Sequence, residues 1–185
     1  EMCIRDRMMT KRHCYEDFIA IAERVIADGF TSKGKIGITG CSNGGLLMSA
    51  LVTMRPDLWG CVIDSVPHTD MIHFAEDDRG PMYITEYGNP RGSEEMFRYL
   101  LSYSPYHNVK AVDYPPTYVQ TGEMDNNVPP YHGKKFAARM QAMNTSDNPI
   151  LLRVLAEGSH DRGKGEVYWK TIAEMQLFLE QHLKG

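Results

Sequence analysis

The chain has 185 residues and a formal net charge of −4, and 42% of its residues are hydrophobic, which suits one globular domain with a core of its own. Positive and negative side chains are interspersed, so the composition gives no case for binding to nucleic acid or to an anionic membrane surface. No apolar run reaches the roughly 20 residues that a membrane-spanning helix needs.

The predicted elements of the first half alternate between helix and strand. Apolar residues recur at helical spacing over 15–28. A strand follows at 35–39, then a helix at about 43–54 and a strand at about 60–65. An irregular stretch with short helices, rich in Gly, Pro and Tyr, covers 68–113 and is expected to wall a cleft.

The second half continues the alternation. It contains a strand at 116–121, a helix at 131–143, a strand at 149–155 and a last helix at about 165–183. Such alternation favours parallel strands joined by right-handed crossovers. The prediction is an α/β fold with a mainly parallel sheet of about four strands and flanking helices, with no linker or second domain.

The turn between the first strand and the second helix reads Gly-Cys-Ser-Asn-Gly-Gly at 40–45. A G-x-S-x-G sequence between a strand and a helix is typical of a nucleophile elbow. Gly40 and Gly44 are expected to be the small neighbours that this strained turn needs. Ser42 is then the candidate nucleophile, and the backbone N–H of Asn43 is a candidate oxyanion donor. The alternative is a glycine-rich turn with a buried serine.

A nucleophilic serine needs an orienting acid and a base, which follow it in that order in this fold class. Asp125, in the turn-rich loop after the third strand, is the candidate acid. Its rivals are Glu123 and Asp113, and the alternative role for Asp125 is an Asx-turn alone. His160, in the loop after the fourth strand, is the candidate base that takes the proton of Ser42 and returns it to the leaving group.

The remaining histidines flank helical runs or follow turn signals, so we interpret them as solvated or core-edge residues; they are His13, His68, His73, His107, His132 and His182. Cys41, beside the candidate nucleophile, is interpreted as a packing residue. The cysteines and histidines form no zinc pattern, and no metal or cofactor is predicted.

Further motifs follow one another along nearly the whole chain. They are Tyr-Glu-Asp-Phe at 15–18, Gly-Cys-Ser-Asn-Gly-Gly-Leu-Leu at 40–47, Arg-Pro-Asp-Leu-Trp-Gly-Cys-Val-Ile at 55–63, Asp-Met at 70–71, Glu-Tyr-Gly at 86–88, Tyr-Ser-Pro-Tyr-His-Asn-Val at 103–109 and Tyr-Pro-Pro at 114–116. Together they resemble the C-terminal part of the catalytic α/β-hydrolase domain of the prolyl oligopeptidase family of serine peptidases. The resemblance implies a triad of Ser42, Asp125 and His160 that hydrolyses short peptides through an acyl-enzyme, with the Asn43 N–H as one oxyanion donor.

Two positions depart from the family members that cleave after proline. Those members carry a tryptophan shortly before the Tyr-Gly pair, where this chain has Tyr83, and an arginine just after the catalytic aspartate, where it has Asn127. Tyr83 stacks over a smaller area, and Asn127 lacks the charge and the forked donors of arginine. The resemblance therefore implies that both bind substrate, without implying strict proline specificity.

Two alternatives stay open for the function. The same triad serves an esterase or an acyl-peptide hydrolase, and a non-catalytic α/β-hydrolase binding module would keep the fold. The sequence is compatible with a cytoplasmic or a periplasmic location.

Residues 1–7 are interpreted as a non-native scar, because Met-Cys-Ile-Arg-Asp-Arg at 2–7 resembles a translated sequencing adapter. Residues 8–185 are then the C-terminal part of one truncated α/β-hydrolase peptidase domain. The resemblance implies that a propeller domain, the first sheet strands and a tyrosine that is the second oxyanion donor lie upstream. We therefore expect residues 8–185 alone to expose the strand at 35–39 as a sheet edge, to aggregate and to be weak or inactive as an enzyme.

Overall fold

Four parallel strands form the sheet of the computed structural model, which describes residues 6–183. They are β1 (Ile36–Cys41), β2 (Trp59–Ser65), β3 (Thr117–Gly122) and β4 (Ile150–Leu155), and they lie side by side in chain order. Each neighbouring pair is parallel. The predicted α/β fold with a mainly parallel sheet is confirmed.

Long helices connect and cover these strands. They are α1 (His13–Ala27), α2 (Asn43–Met54), α3 (Glu94–Tyr103), α4 (Tyr131–Met143) and α5 (Glu166–Leu183). The irregular stretch at 68–113 holds α3 and four single turns, which are Phe74–Glu76, Gly80–Tyr83, Ile84–Tyr87 and Pro105–Asn108. The four helices predicted outside that stretch are present, with ends shifted by at most a few residues.

The two central strands are buried along their whole length, and their alternating side chains serve two cores. Val62 of β2 belongs to the larger core, to which α2 contributes Leu46 and Leu51 and α4 contributes Phe136. The neighbours of Val62, at 61 and 63, pack in a smaller core with Phe178 of α5. The sheet is therefore covered by helices on both faces, as a parallel sheet requires.

β1 and β4 are the edges of this sheet among the described residues. No described strand pairs with the outer side of β1. Leu151 and Leu152 of β4 are 44% and 36% exposed. Exposed strand edges with apolar side chains favour association with other chains.

The interpretation of residues 1–7 as non-native stays a prediction, and residues 1–5 of that segment lie outside the described residues. Within the described part, Arg7 Nε lies 3.2 Å from Glu86 Oε2. No helix between residues 6 and 183 combines the length and the apolar character that a bilayer crossing demands.

Candidate active site

Ser42 occupies the sharp turn between β1 and α2. Its φ of +60° places a non-glycine residue in the left-handed region, which is the strained backbone of a nucleophile elbow. A Cβ at Gly40 would lie 2.2 Å from the carbonyl oxygen of Gly44, so only glycine fits at position 40. The expectation for Gly44 itself is wrong, because a Cβ there would meet nothing within 4 Å.

Ser42, His160 and Asp125 form a continuous chain of hydrogen bonds at the carboxyl ends of three strands. His160 Nε2 lies 2.8 Å from Ser42 Oγ, and His160 Nδ1 lies 2.8 Å from Asp125 Oδ2. Since a carboxylate can only accept, Nδ1 carries the proton and Nε2 is left to accept the serine proton. The arrangement can convert the Ser42 hydroxyl into a nucleophile.

Asp125 is held in place by its own loop. The carboxylate is buried, and its Oδ1 accepts from the backbone N–H of Asn127 at 2.9 Å and of Val128 at 3.0 Å. The Asx-turn considered as the alternative role therefore exists, and it leaves Oδ2 for His160. A carboxylate fixed at one oxygen holds the imidazole in a defined orientation at the other.

The rival acids are engaged elsewhere. Glu123 is exposed and forms an ion pair with Lys134 at 2.6 Å. Asp113 accepts from the hydroxyl of Thr145. Neither hydrogen-bonds to the candidate base, so the geometry favours Asp125 as its partner.

The two loops that carry the acid and the base pack backbone against backbone. Met124 N donates to Gly158 O at 2.9 Å. At the end of β3, a Cβ on Gly122 would lie 2.4 Å from the carbonyl oxygens of both Gly158 and Ser159. The absence of a side chain at position 122 thus allows the loop of His160 to reach the loop of the acid.

Asn43, the first residue of α2, lies where backbone N–H groups have no intrahelical partner. Its side chain is fixed by Tyr87, whose hydroxyl donates to Asn43 Oδ1 at 3.0 Å. Tyr87 is buried, and the ammonium of Lys11 lies 5.5 Å from its ring centroid while it pairs with Glu86 at 2.6 Å. Lys11 and Tyr87 were not predicted to support the site, because a lysine in a helical turn and a tyrosine in an aperiodic stretch give no such signal.

Tyr83 and Asn127, the predicted substrate-binding residues, both border this arrangement. The ring of Tyr83 is half-buried and lies 6.3 Å from that of Tyr87. Asn127 lies two residues after Asp125, and its Oδ1 accepts from Arg79 Nη1 at 2.5 Å. The exposed guanidinium of Arg79 therefore lies beside Asn127, the position that the sequence comparison matches to an arginine in family members that cleave after proline.

Two histidines predicted as solvated or core-edge residues are deeply buried, which corrects that interpretation. His132 is 0% exposed and His68 is 2% exposed. Burial is the main cause that holds the pKa of His68 well below its ordinary value, and repulsion from the nearby His132 and His160 adds to it. The imidazole of His68 is therefore neutral. A signal was available for His68, since it closely follows β2, the strand next to the one that carries Ser42.

Cys41 is exposed, so its interpretation as a packing residue is wrong. Although the residue as a whole is exposed, desolvation of its thiol by the surrounding protein is the main cause that raises the pKa of Cys41. A protonated thiol is a poor nucleophile, so Cys41 adds no second nucleophile beside Ser42.

Asp70, His73 and His107 are the described residues whose side chains come close enough to share a metal ion, with ligand atoms within 4.8 Å of one another. Asp70 is already paired with Lys135 and with His73 Nδ1. Burial raises the pKa of Asp70, but the hydrogen bonds from Lys135 and His73 outweigh it and hold the pKa below its ordinary range. The negative charge of Asp70 is therefore balanced by Lys135.

The chain is similar in sequence to known proteins. A sequence model of the prolyl oligopeptidase family matches residues 5–185. The chain is 42% identical over 157 residues to a prolyl endopeptidase of Elizabethkingia meningoseptica, with 84% of this chain and 22% of that protein covered. It is 34% identical over 177 residues to protease 2 of Moraxella lacunata, with 94% and 26% covered.

The chain is also similar to solved structures of peptidases in three dimensions. Oligopeptidase B from Leishmania major superposes with a TM-score of 0.92 at 34% identity, over 98% of this chain and 26% of that one. The chain thus spans about a quarter of the length of the proteins it matches. The matched part includes the strands and loops that carry the serine, aspartate and histidine described above.

Proposed function

This chain belongs to the prolyl oligopeptidase family, and we propose that it carries the acyl-transfer site of a serine peptidase that hydrolyses short peptides. Ser42 is the nucleophile, His160 the general base and acid, and Asp125 the group that orients the base. The observation that carries the proposal is the pair of 2.8 Å contacts that join His160 to Ser42 and to Asp125.

In the first half of the reaction, Ser42 Oγ attacks the carbonyl carbon of the scissile bond while its proton passes to His160 Nε2. Asp125 stabilises the resulting imidazolium through Nδ1. The carbonyl oxygen becomes an oxyanion and accepts from the backbone N–H of Asn43. When the C–N bond breaks, Nε2 returns the proton to the amine, and the acyl group remains on Ser42.

In the second half, water takes the place of the amine. His160 removes one proton from the water, the hydroxide oxygen attacks the acyl carbon, and the proton returns to Ser42 Oγ as the C–O bond breaks. These steps need no group beyond the three side chains, an oxyanion site and water.

An acyl-transfer site uses two oxyanion donors in its efficient form, and Asn43 supplies one. We place the second in a part of the peptidase outside these residues, since the chain spans 22% of the length of the prolyl endopeptidase it matches. Removing one donor costs about 10²–10³-fold in turnover. The 185-residue chain alone is therefore proposed to be weak or inactive.

Tyr83 and Asn127 are proposed to contact the substrate near the scissile bond. Relatives of the chain include proteins named prolyl endopeptidase and protease 2, so the family holds more than one named activity. Because Tyr83 presents a smaller ring than tryptophan and Asn127 has no charge, the proposed specificity does not require proline.

A fluorophosphonate probe tests the proposal directly, because it labels a serine only when a neighbouring base activates it. In the longest natural polypeptide that contains this chain, we expect labelling that Ser42→Ala abolishes. The matched control is Ser32→Ala, which removes an exposed serine hydroxyl and should leave labelling intact. Failure of the unsubstituted protein to react would support the non-catalytic binding module instead.

A second measurement separates the peptidase from an esterase or an acyl-peptide hydrolase that uses the same triad. Matched peptide amides, peptide esters and N-acyl peptides are compared by kcat/KM. A peptidase hydrolyses the free peptide amides, whereas an acyl-peptide hydrolase needs the blocked amino terminus.

A further inference from the structure

Arg79 presents its side chain to solvent beside the loop that carries the proposed acid. Its Nη1 donates to Asn127 Oδ1 at 2.5 Å, and the backbone N–H of Asn127 donates to Asp125 Oδ1 at 2.9 Å. The other carboxylate oxygen of Asp125 meets His160, which contacts Ser42. Hydrogen bonds therefore connect the guanidinium to the proposed triad step by step, while the guanidinium itself stays open to solvent.

The turn that carries Arg79 packs tightly against the backbone below it. Gly80 N donates to Asp77 O at 2.9 Å, and Met82 N donates to Arg79 O at 3.1 Å. A Cβ at Gly80 would lie 1.8 Å from the carbonyl oxygen of buried Phe74, so only glycine allows this approach. The side chain of Arg79 therefore extends from a fixed base.

Two further contacts join this turn to the segment that follows the proposed acid. Asp77 accepts from the hydroxyl of Tyr131 at 2.8 Å, and its other carboxylate oxygen lies 3.0 Å from His132 Nε2. Tyr131 and His132 begin α4, shortly after the loop of Asp125. The two segments are held together by these contacts, which also occupy the carboxylate of Asp77.

The positive charge of Arg79 has no counterpart in the described part of the chain. Among residues 6–183 its hydrogen-bond partner is the amide oxygen of Asn127, and neither the neighbouring Asp78 nor any other carboxylate forms an ion pair with it. Arg91, which is also exposed, pairs with Glu76. The forked guanidinium of Arg79 therefore keeps donors and charge for a carboxylate from elsewhere.

The spacing between Arg79 and Tyr83 indicates which part of a substrate Arg79 meets. The single turn Gly80–Tyr83 joins the two residues. Because such a turn rises about 2 Å per residue, they lie about 8 Å apart along its axis. An extended peptide advances about 3.3 Å per residue, so the substrate residue near Arg79 is about two positions from the one near Tyr83.

We propose that Arg79 is a specificity-determining residue of the peptidase, and that its guanidinium selects an acidic side chain at the third substrate residue before the scissile bond. This inference rests on the proposed function, in which Tyr83 contacts the substrate near that bond. We assign Tyr83 to the acyl side, because members that cleave after proline carry their tryptophan at this position. The inference adds the substrate class, which is a short acidic peptide.

The chemistry of the guanidinium separates the candidate side chains. A carboxylate accepts two parallel hydrogen bonds and balances the charge. Glutamine has the same shape and accepts at one oxygen without balancing the charge, and lysine is repelled. Since Arg79 is exposed, dissolved salt should screen the attraction.

The test uses the longest natural polypeptide that contains this chain and three fluorogenic peptides that differ only in the third residue before the scissile bond. That residue is glutamate, glutamine or lysine. At low ionic strength we expect kcat/KM for glutamate to exceed that for glutamine by about fivefold, and that for lysine by more. In about 0.5 M sodium chloride the advantage over glutamine should fall below about twofold.

Two substitutions and a control assign the preference to one side chain. Arg79→Gln should remove the preference for glutamate, and Arg79→Glu should reverse it toward lysine. The matched control is Arg24→Gln, which removes an exposed guanidinium of α1 and should keep the preference. A glutamate preference that survives in Arg79→Gln, or no preference in the unsubstituted protein, would overturn the inference.

A second peptide set places the same three residues at the third position after the scissile bond, where we expect no preference. A glutamate preference found only in this set would overturn the assignment to the acyl side. Should neither variant of Arg79 fold, the salt dependence of the glutamate-to-glutamine ratio decides, because a ratio that salt leaves unchanged would contradict an exposed ion pair.

Labelling by fluorophosphonate, measured in the same samples, separates this inference from the proposed function. If the unsubstituted protein is not labelled, the proposed function fails. If it is labelled and cleaves the three peptides at equal rates, only the role of Arg79 fails.

Discussion

Asp125–His160 and Asp77–His132 are both aspartate–histidine pairs, with N···O distances of 2.8 Å and 3.0 Å. They differ in what the second ring nitrogen meets. His160 presents Nε2 to the hydroxyl of Ser42. His132 turns Nδ1 to the backbone N–H groups of residues 69 and 70, both at 3.1 Å.

The difference shows why one pair is suited to catalysis and the other to structure. A general base needs a ring nitrogen whose lone pair faces a proton that it can remove. The free lone pair of His132, on Nδ1, instead accepts hydrogen bonds from two backbone amides, which do not give up their protons. Its Nε2–H is given to Asp77, which also accepts from the hydroxyl of Tyr131 at 2.8 Å. The buried pair thereby ties the start of α4 to the irregular stretch at 68–113.

The largest expected effect comes from removing the two imidazoles in turn. His160→Ala should lower kcat by about 10⁵–10⁶-fold with little change in unfolding free energy. His132→Ala should lower the unfolding free energy by about 3 kcal/mol or more, because Asp77 and two buried amides lose their partner. Initial rates and urea unfolding measure both. Equal destabilisation by the two substitutions would break the comparison.

The next largest effect is expected when the carboxylates of Asp125 and Asp77 are replaced in turn. Asp125→Asn should lower kcat by about 10⁴-fold at neutral pH, because an amide donates to Nδ1 and drives the proton to the nitrogen that faces Ser42. Asp77→Asn, as the matched change in the structural pair, should act on thermal stability and leave kcat within a few-fold. A comparable loss of kcat in both variants would show that the pairs are not separable.

The stability of the folded protein in acid should depend on Asp70, which lies in the irregular stretch at 68–113. Although burial opposes ionisation of Asp70, hydrogen bonds from Lys135 and His73 hold its pKa below the ordinary value. The folded pKa is lower than the unfolded one, so this contribution is complete above about pH 4 and is lost as the pH falls through the folded pKa.

Lys135→Met removes the main partner and should lower the unfolding free energy at pH 7 by about 1–3 kcal/mol. Its stability should also fall less steeply than that of the unsubstituted protein between pH 4 and pH 2. Urea unfolding across this range checks the prediction, and parallel curves for the two proteins would contradict it. Lys134→Met, which removes the partner of exposed Glu123, is the matched control.

The smallest expected effect is a change in substrate preference when Tyr83 and Asn127, the proposed substrate contacts, are replaced. Tyr83→Trp together with Asn127→Arg should raise the preference for proline over alanine by a few-fold, because a wider ring and a forked cation are added. Arg79 must be changed to asparagine in the same protein, since it lies against position 127 and would repel a second guanidinium. Unchanged selectivity in matched proline and alanine peptides would count against both positions as substrate contacts.

The sequence predicts most of the fold and the residues of the proposed triad because their signals are local. Hydrophobic periodicity marks the strands and helices, and the elbow, the loop of Asp125 and the loop of His160 each follow a strand. The contacts around them are not local. Tyr87 meets Asn43 across 44 positions of the chain, and no periodic pattern in the stretch at 68–113 indicates that pairing.

Burial of polar residues was the hardest property to predict. His68 and His132 follow turn signals in the sequence, where solvent exposure is the usual outcome. His68 is buried against the rings of Tyr83 and Tyr87. His132 is buried where it meets Asp77 and the backbone N–H groups of residues 69 and 70, so in both cases the partners come from the stretch at 68–113. Gly44 and Cys41 show the opposite error, since both were expected in crowded surroundings and both face open space or solvent.

Gly122 also bears on how such peptidases lose activity during evolution. Glycine and alanine codons differ by a single base, and the added methyl group would collide with two carbonyl oxygens of the loop that carries the base. A gene could therefore become silent as an enzyme while its serine, aspartate and histidine codons stay intact. A survey that judges relatives by those three residues alone would count such a gene as active, and reading the codon for the last residue of the third strand would expose it.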